Sequence, residues 1–348
     1  MSNKLIFLFS IFIGLILLEF AVRLYEYLEQ GKFNNGEILY EKGNNFKNFK
    51  NFFTYYPNSQ LRTVGIYSNA YNPTNPRIEY DEIIHTNNFG LVMKNDIPLN
   101  SKVNFVLGDS FTEGVGARPW FYDLERKSNK IIANLGFIGT GPKQWLNILE
   151  YFVEKKRLKI ESIIINIIPD DISRGEWTFN QNQLNCLRFS QCKSGIRFIG
   201  LDIAKKSNEE IKKTWLKLKS NSSVIDESHI LIKTLKKSRL VVLLNKSIRS
   251  VLAKSMSTNV ETNFNSLLTL AKISKGKYHI NVISQKKLKQ KKSKNYELLV
   301  SFLEKNNLNF SFCNIPQEDF HKLDSHPTKE GYKFLEKCTQ ISINQLTK

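Results

Sequence analysis

Gly108-Asp109-Ser110-Phe111-Thr112-Glu113-Gly114 follows the apolar run Val103-Asn104-Phe105-Val106-Leu107. Locally this reads as a strand ending in a tight Gly-Asp turn that hands a serine to the first turn of a helix. Free backbone N–H groups and the positive end of the helix dipole gather at that place, which suits a nucleophile whose reaction builds negative charge. Near the far end of the chain stands Asp324-Ser325-His326-Pro327, an Asp-x-His pair followed by proline just before a predicted helix. A hydroxyl, an imidazole and a carboxylate are the parts of a proton relay that activates serine. Five histidines are present: His85, His229, His279, His321 and His326. Asp319 gives His321 the same Asp-x-His spacing, but His321 lacks the following proline and helix start, so His326 ranks first.

The elements around these residues place them together. Val103–Leu107, Lys130–Asn134, the nearly continuous isoleucine run Ser162–Ile168, Tyr278–Ile283 and Asn309–Cys313 are the predicted strands. An unbroken apolar run of that length marks a strand buried on both faces. Leu146–Lys155, Tyr296–Lys305 and Lys329–Leu346 are predicted helices, the last capped by Thr328. Alternating strands and helices imply a parallel sheet with helices on both faces. Ser110 then follows the first strand, Gly139 the second, Asp170 and Asp171 the third, and Asp324 and His326 the fifth. In a parallel sheet all these ends lie along one edge, where open α/β sheets bind ligands.

These residues carry a family resemblance. The Gly108–Glu113 block resembles the first block of the SGNH, or GDSL, hydrolases. Asn134-Leu135-Gly136-Phe137-Ile138-Gly139-Thr140-Gly141-Pro142-Lys143-Gln144 resembles their second, and Asp324, His326 and Pro327 their last. The resemblance runs from about Lys102 to Ile341 with a long interruption. It implies a three-layer α/β/α flavodoxin-like fold with a five-stranded parallel sheet. It also implies Ser110 as nucleophile, His326 as base and Asp324 as its orienting acid, with no metal or cofactor. The oxyanion hole would use the N–H of Ser110 and of Gly139. The family's third donor is an asparagine side chain after the third strand; here that place reads Ile168-Pro169-Asp170-Asp171-Ile172, with Asp170 at the expected position. An ionised carboxylate there would repel an oxyanion, and Asp170 would help only if protonated, which burial beside Asp171 would promote. Asn166 lies inside the predicted strand and does not substitute.

Outside this core the chain divides into an N-terminal apolar segment, a polar aromatic stretch and an insertion. Leu5–Leu18 is apolar and continues through Glu19 to Val22. About eighteen residues make roughly 27 Å of helix, just enough to cross a bilayer. Residues 1–25 are therefore expected to form an uncleaved single-pass anchor, with Tyr25 at the interface and the rival reading a removable signal peptide. Residues 26–100 are expected to be loops with a few short strands, and residues 101–348 the main domain. Between about 175 and 276 lies extra material with no strong strand, in which Asn208–Lys219 and the basic, apolar His229–Met256 read as helices. Gln285–Lys294 reads as a solvated lysine-rich loop.

The 348 residues, 41% hydrophobic, suffice for one large domain with additions. A net charge of +19 favours anionic partners, but the charge is spread and no nucleic-acid motif occurs, so no nucleic-acid partner is expected. Four cysteines suit an oxidising compartment: Cys186 with Cys192 would staple a small loop, and Cys313 with Cys338 would brace the segment carrying Asp324 and His326. The alternative is four buried thiols; without a paired Cys-x-x-Cys, metal binding is not expected. With an exported, membrane-anchored setting, the family resemblance implies an acyl-ester hydrolase acting on O-acyl groups of cell-envelope glycans or lipids. An O-acyltransferase using the same acyl-serine, and a non-catalytic glycan- or acyl-binding protein, are the alternatives.

Overall fold

The computed structural model describes residues 13–21, 35–68, 74–192, 197–222, 257–283 and 294–347. Its centre is a five-stranded parallel sheet built from β6 (Lys102–Gly108), β7 (Ile132–Gly136), β8 (Lys159–Ile167), β10 (Tyr278–Ile283) and β11 (Phe310–Cys313). The spatial order is β11-β10-β8-β6-β7, so the chain reverses direction across the sheet beside β6. Ile163, Ile164, Ile165 and Ile167 of β8 are fully buried, as a central strand covered on both faces requires. Gly108 lies level with Gly136 on one side and Asn166 on the other, which aligns the three strand ends that open onto the site.

Right-handed crossovers decide which helix covers which face. The step from β6 to β7 through α2 (Phe121–Lys127) runs opposite to all later steps. It therefore places α2 on one face. The later steps place α3 (Pro142–Glu154), α6 (Ser257–Ile273) and α7 (Lys294–Lys305) on the other. Phe264 of α6 stacks on Phe302 of α7 at 3.9 Å. The last helix, α8 (Lys329–Leu346), packs beside α2 and across β8 and β10. Thr328 caps it by accepting from the Gly331 N–H. On that face Asn166 donates to Thr339 Oγ1 and accepts from Asn281, and Ser342 donates to Asn281. The Asn166 side chain is thus spent on joining helix to sheet.

The stretch expected to be loops with a few short strands forms most of a second sheet. β1 (Asn35–Glu41), β4 (Gln60–Ser68) and β5 (Arg77–His85) pair antiparallel in the order β5-β4-β1. The insertion, expected to hold no strong strand, supplies β9 (Phe198–Leu201), which joins parallel to β1. Two short strands, β2 (Phe46–Asn48) and β3 (Phe53–Tyr55), form a hairpin. Successive strand residues face opposite ways, so one strand can serve two cores. Ile38 and Tyr40 of β1 join the main core with Phe46, Phe53 and Tyr55. Leu39 packs instead with Val64, Ile66, Ile199, Ile211 and Trp215, the last two from α5 (Asn208–Ser222). No boundary at residue 100 therefore separates the second sheet from the main domain, because the two share buried side chains. β1 hides from sequence reading because both of its faces bury apolar groups and the polar–apolar alternation is lost. Helix α6 was also not anticipated from the sequence.

Disulfides link Cys186 with Cys192, beside α4 (Gln181–Phe189), and Cys313 at the end of β11 with Cys338 in α8. Of the expected N-terminal anchor only residues 13–21 are described; they are helical, and Ile13, Leu15, Ile16, Leu17, Leu18 and Phe20 are exposed. Among the described residues no helix is long and apolar enough to cross a membrane. The remainder of the anchor, all of the expected helix His229–Met256 and the lysine-rich loop up to residue 293 lie outside the described residues.

Candidate active site

Ser110 opens a single helical turn, α1 (Ser110–Glu113), directly after β6. Asp109 caps that turn by accepting from the Phe111 N–H at 2.9 Å, and Gly114 ends it in a left-handed conformation. This fixes the serine at the strand end with its own N–H turned away from any intrahelical partner. The second loop follows β7. Gly139 there has φ +73°, a conformation costly for a side chain, and its carbonyl accepts from Trp177 Nε1. Among the described residues no protein acceptor takes the N–H of Ser110 or of Gly139.

The tail brings His326 to Ser110. His326 Nε2 lies 2.8 Å from Ser110 Oγ, and His326 Nδ1 lies 2.6 Å from Asp324 Oδ1. Asp324 Oδ1 also accepts from the His326 backbone N–H at 3.1 Å, so this short Asp-x-His spacing closes on itself. Burial opposes ionisation of Asp324, but the His326 charge and the hydrogen bonds outweigh it and hold the carboxyl well below the usual range. Burial likewise disfavours an imidazolium, yet Asp324 more than compensates and the His326 pKa is raised. His321, the rival, serves elsewhere: its Nε2 lies 2.6 Å from the Gly116 carbonyl and its Nδ1 3.7 Å from Glu79.

Three participating residues escaped the sequence reading. Tyr67, at the end of β4, donates its hydroxyl to Asp324 Oδ2 at 2.5 Å. Its ring lies over Gly36 on the paired strand, where a Cβ would come within 2.2 Å of Tyr67 Cε1. Nothing local marks Tyr67, because the partner is remote in sequence. Glu113 stood inside the quoted serine block without a role. It is fully buried, accepts from Tyr55 Oη and from the Ile138 N–H, each at 2.5 Å, and so ties the serine turn to the loop carrying Gly139. Burial raises its pKa to about 7. Arg174 follows the Asp170-Asp171 pair by one turn. Its Nη1 donates to Asp109 Oδ2 at 2.8 Å and to the Thr140 carbonyl at 3.1 Å, and lies 2.6 Å from Asp171 Oδ1. Burial works against the guanidinium charge, but Asp171 and Asp109 outweigh it and raise the Arg174 pKa. Burial raises the Asp171 pKa far above its ordinary value.

A cavity of about 340 Å³ receives these groups. Ser110, His326, Asp324 and Gly139 line it together with Tyr67 and Arg174. Asp170 is also on its wall, but it is exposed, and Asn295 Nδ2 lies 3.3 Å from its Oδ1. The burial expected of Asp170 is not found; Asp171 is the buried member of the pair. Among the described residues no group of three or more His, Cys, Asp or Glu side chains is placed to hold a metal ion.

No family model and no curated protein matches the chain. Solved structures do. A putative GDSL-like lipase from Bacteroides ovatus is 12% identical, with 89% of this chain and 80% of that one covered and a TM-score of 0.36. A lipase/acylhydrolase from Enterococcus faecalis is 11% identical, covering 70% of this chain and 95% of its own, with a TM-score of 0.33. A family two carbohydrate esterase from Cellvibrio japonicus is 12% identical, covering 90% and 85%, with a TM-score of 0.34. At such identities and scores, the chemistry of this chain has to be read from its own side chains.

Proposed function

We propose that this protein is a serine-dependent acyl-ester hydrolase of SGNH type. The observation that carries the reading is the unbroken chain Ser110 Oγ to His326 Nε2 at 2.8 Å and His326 Nδ1 to Asp324 Oδ1 at 2.6 Å, facing one cavity. In this mechanism the ester carbonyl sits against the N–H groups of Ser110 and Gly139. Ser110 Oγ attacks the carbonyl carbon as His326 Nε2 takes its proton, and the carbonyl π pair moves onto oxygen. Asp324 stabilises the imidazolium without itself taking the proton. Collapse breaks the ester C–O bond, and His326 protonates the departing alkoxide. Water then attacks the acyl-serine with His326 again as base; the bond from Ser110 Oγ to the acyl carbon breaks, His326 returns the proton to Oγ, and the carboxylic acid leaves.

The proposed setting is extracytoplasmic, with O-acyl groups of cell-envelope glycans or lipids as substrates and the N-terminal apolar segment as membrane anchor. Support comes from that segment's composition and from two disulfides, which persist in oxidising compartments. Incubation of the soluble domain, lacking residues 1–25, with a chromogenic acetyl ester tests the reaction. Hydrolysis and labelling of Ser110 by an organophosphonate, both lost in Ser110→Ala, are expected. Absence of both in the wild type would leave a binding protein. Product analysis with a glycan acceptor present distinguishes hydrolysis from acyl transfer.

A further inference from the structure

The geometry points to Arg174 as the third donor of the oxyanion site, its guanidinium meeting the negative oxygen that Asp170 is unsuited to receive. This rests on the acyl-ester reading above and completes it. Asp170 is acceptor-only when ionised, and it stands exposed with Asn295 beside it. Arg174 lies just beyond the 3-10 turn Pro169–Ser173 and lines the same cavity as Ser110 and Gly139.

Its anchoring joins both oxyanion loops. Arg174 Nη1 and Ser110 Oγ lie 2.8 Å and 3.4 Å from one atom, Asp109 Oδ2, so the cation stands within one carboxylate oxygen of the nucleophile. The same Nη1 donates to the carbonyl of Thr140, next to Gly139. Among the described residues no acceptor takes the hydrogens of Nε or Nη2, and neither nitrogen is a buried unsatisfied atom. Those nitrogens are therefore not sealed from solvent, and the residue that carries them lines the cavity. Asp109 and Asp171, both fully buried, hold the guanidinium in place before substrate arrives. A fixed donor in a water-poor site stabilises developing charge without reorganising, which is what an oxyanion donor must do.

The measurement is steady-state kinetics on a neutral chromogenic acetyl ester, where no substrate charge can pair with the arginine. Arg174→Met should lower kcat by about 10²–10³-fold with KM nearly unchanged, the loss typical of one missing oxyanion donor. Arg174→Lys should recover part of it. Removing the cation also strands two buried carboxylates, so the double variant Asp171→Asn/Arg174→Met, which leaves one fewer, is made alongside. Donation to the oxyanion requires the double variant to remain slow even when its thermal melt returns to that of the wild type. Wild-type kcat in Arg174→Met, or full recovery in the double variant, overturns the assignment while leaving the triad intact. A wild type that neither hydrolyses the ester nor is labelled at Ser110 removes the acyl-ester reading itself, and this inference with it.

Discussion

The hydroxyl of Tyr67 donates to Asp324 across a separation of 257 residues, so a strand outside the parallel sheet holds the acid of the proton relay. Asp324 Oδ1 serves His326 while Oδ2 serves Tyr67, and the two bonds together lock the carboxylate plane. Tyr67→Phe keeps the ring over Gly36 and deletes only this donor. We expect kcat to fall about tenfold with KM little changed, the size of one lost hydrogen bond to a charged group. Without Tyr67, more of the carboxylate charge falls on the imidazole, so the acid limb of the rate profile should move to higher pH. An unchanged limb and kcat in Tyr67→Phe would show that Asp324 needs no second anchor.

The pH dependence of the wild type follows from His326. Its pKa is raised above the ordinary histidine value because Asp324 outweighs the burial penalty. The reaction needs neutral imidazole as base, so activity is lost as pH falls through that raised value, and the acid-limb midpoint should lie above about 6.5. Asp324→Asn removes the opposing charge and should move the limb downward while cutting kcat by orders of magnitude. A wild-type midpoint below that of free histidine would contradict the observed pairing.

Glu113 should make stability depend on pH near neutrality. Its folded pKa of about 7 exceeds the unfolded carboxyl value of 4.5, chiefly through burial. Its contribution is therefore fully present below 4.5 and declines as pH rises through 7, by up to about 1.4 kcal/mol per unit. Glu113→Gln can still accept from the Ile138 N–H and donate to Tyr55 Oη, and it does not titrate. Melting the two proteins in parallel from pH 5 to pH 8 should show the wild type losing ground to the variant. Parallel curves across that range would mean that Glu113 stays ionised throughout.

Much of the architecture was legible in the chain. The isoleucine run of β8 and the alternation of strands with helices name a parallel sheet, because a strand covered on both faces must be apolar throughout. Once that sheet is accepted, Ser110, Gly139 and His326 fall along one edge. Their meeting follows from strand direction and from the local turn chemistry of Gly108-Asp109-Ser110 and Asp324-Ser325-His326, all of which act within a few residues.

What the tertiary structure alone decided is the set of distant partners that no motif marks, Tyr67 and Arg174 among them. The second sheet was hidden because β1 buries Leu39 in one core and Ile38 and Tyr40 in another, which erases the pattern that marks a half-exposed strand. Tyr67 acquires its task only when β4 is paired to β1 over Gly36 and carried beside the C-terminal loop. Arg174 and Asp170 differ little as letters after β8; the 3-10 turn between them leaves one exposed and sets the other between Asp109 and Asp171. Short-range propensity fixes the turn that holds a side chain, whereas the charge it meets is set by packing between segments far apart in the chain.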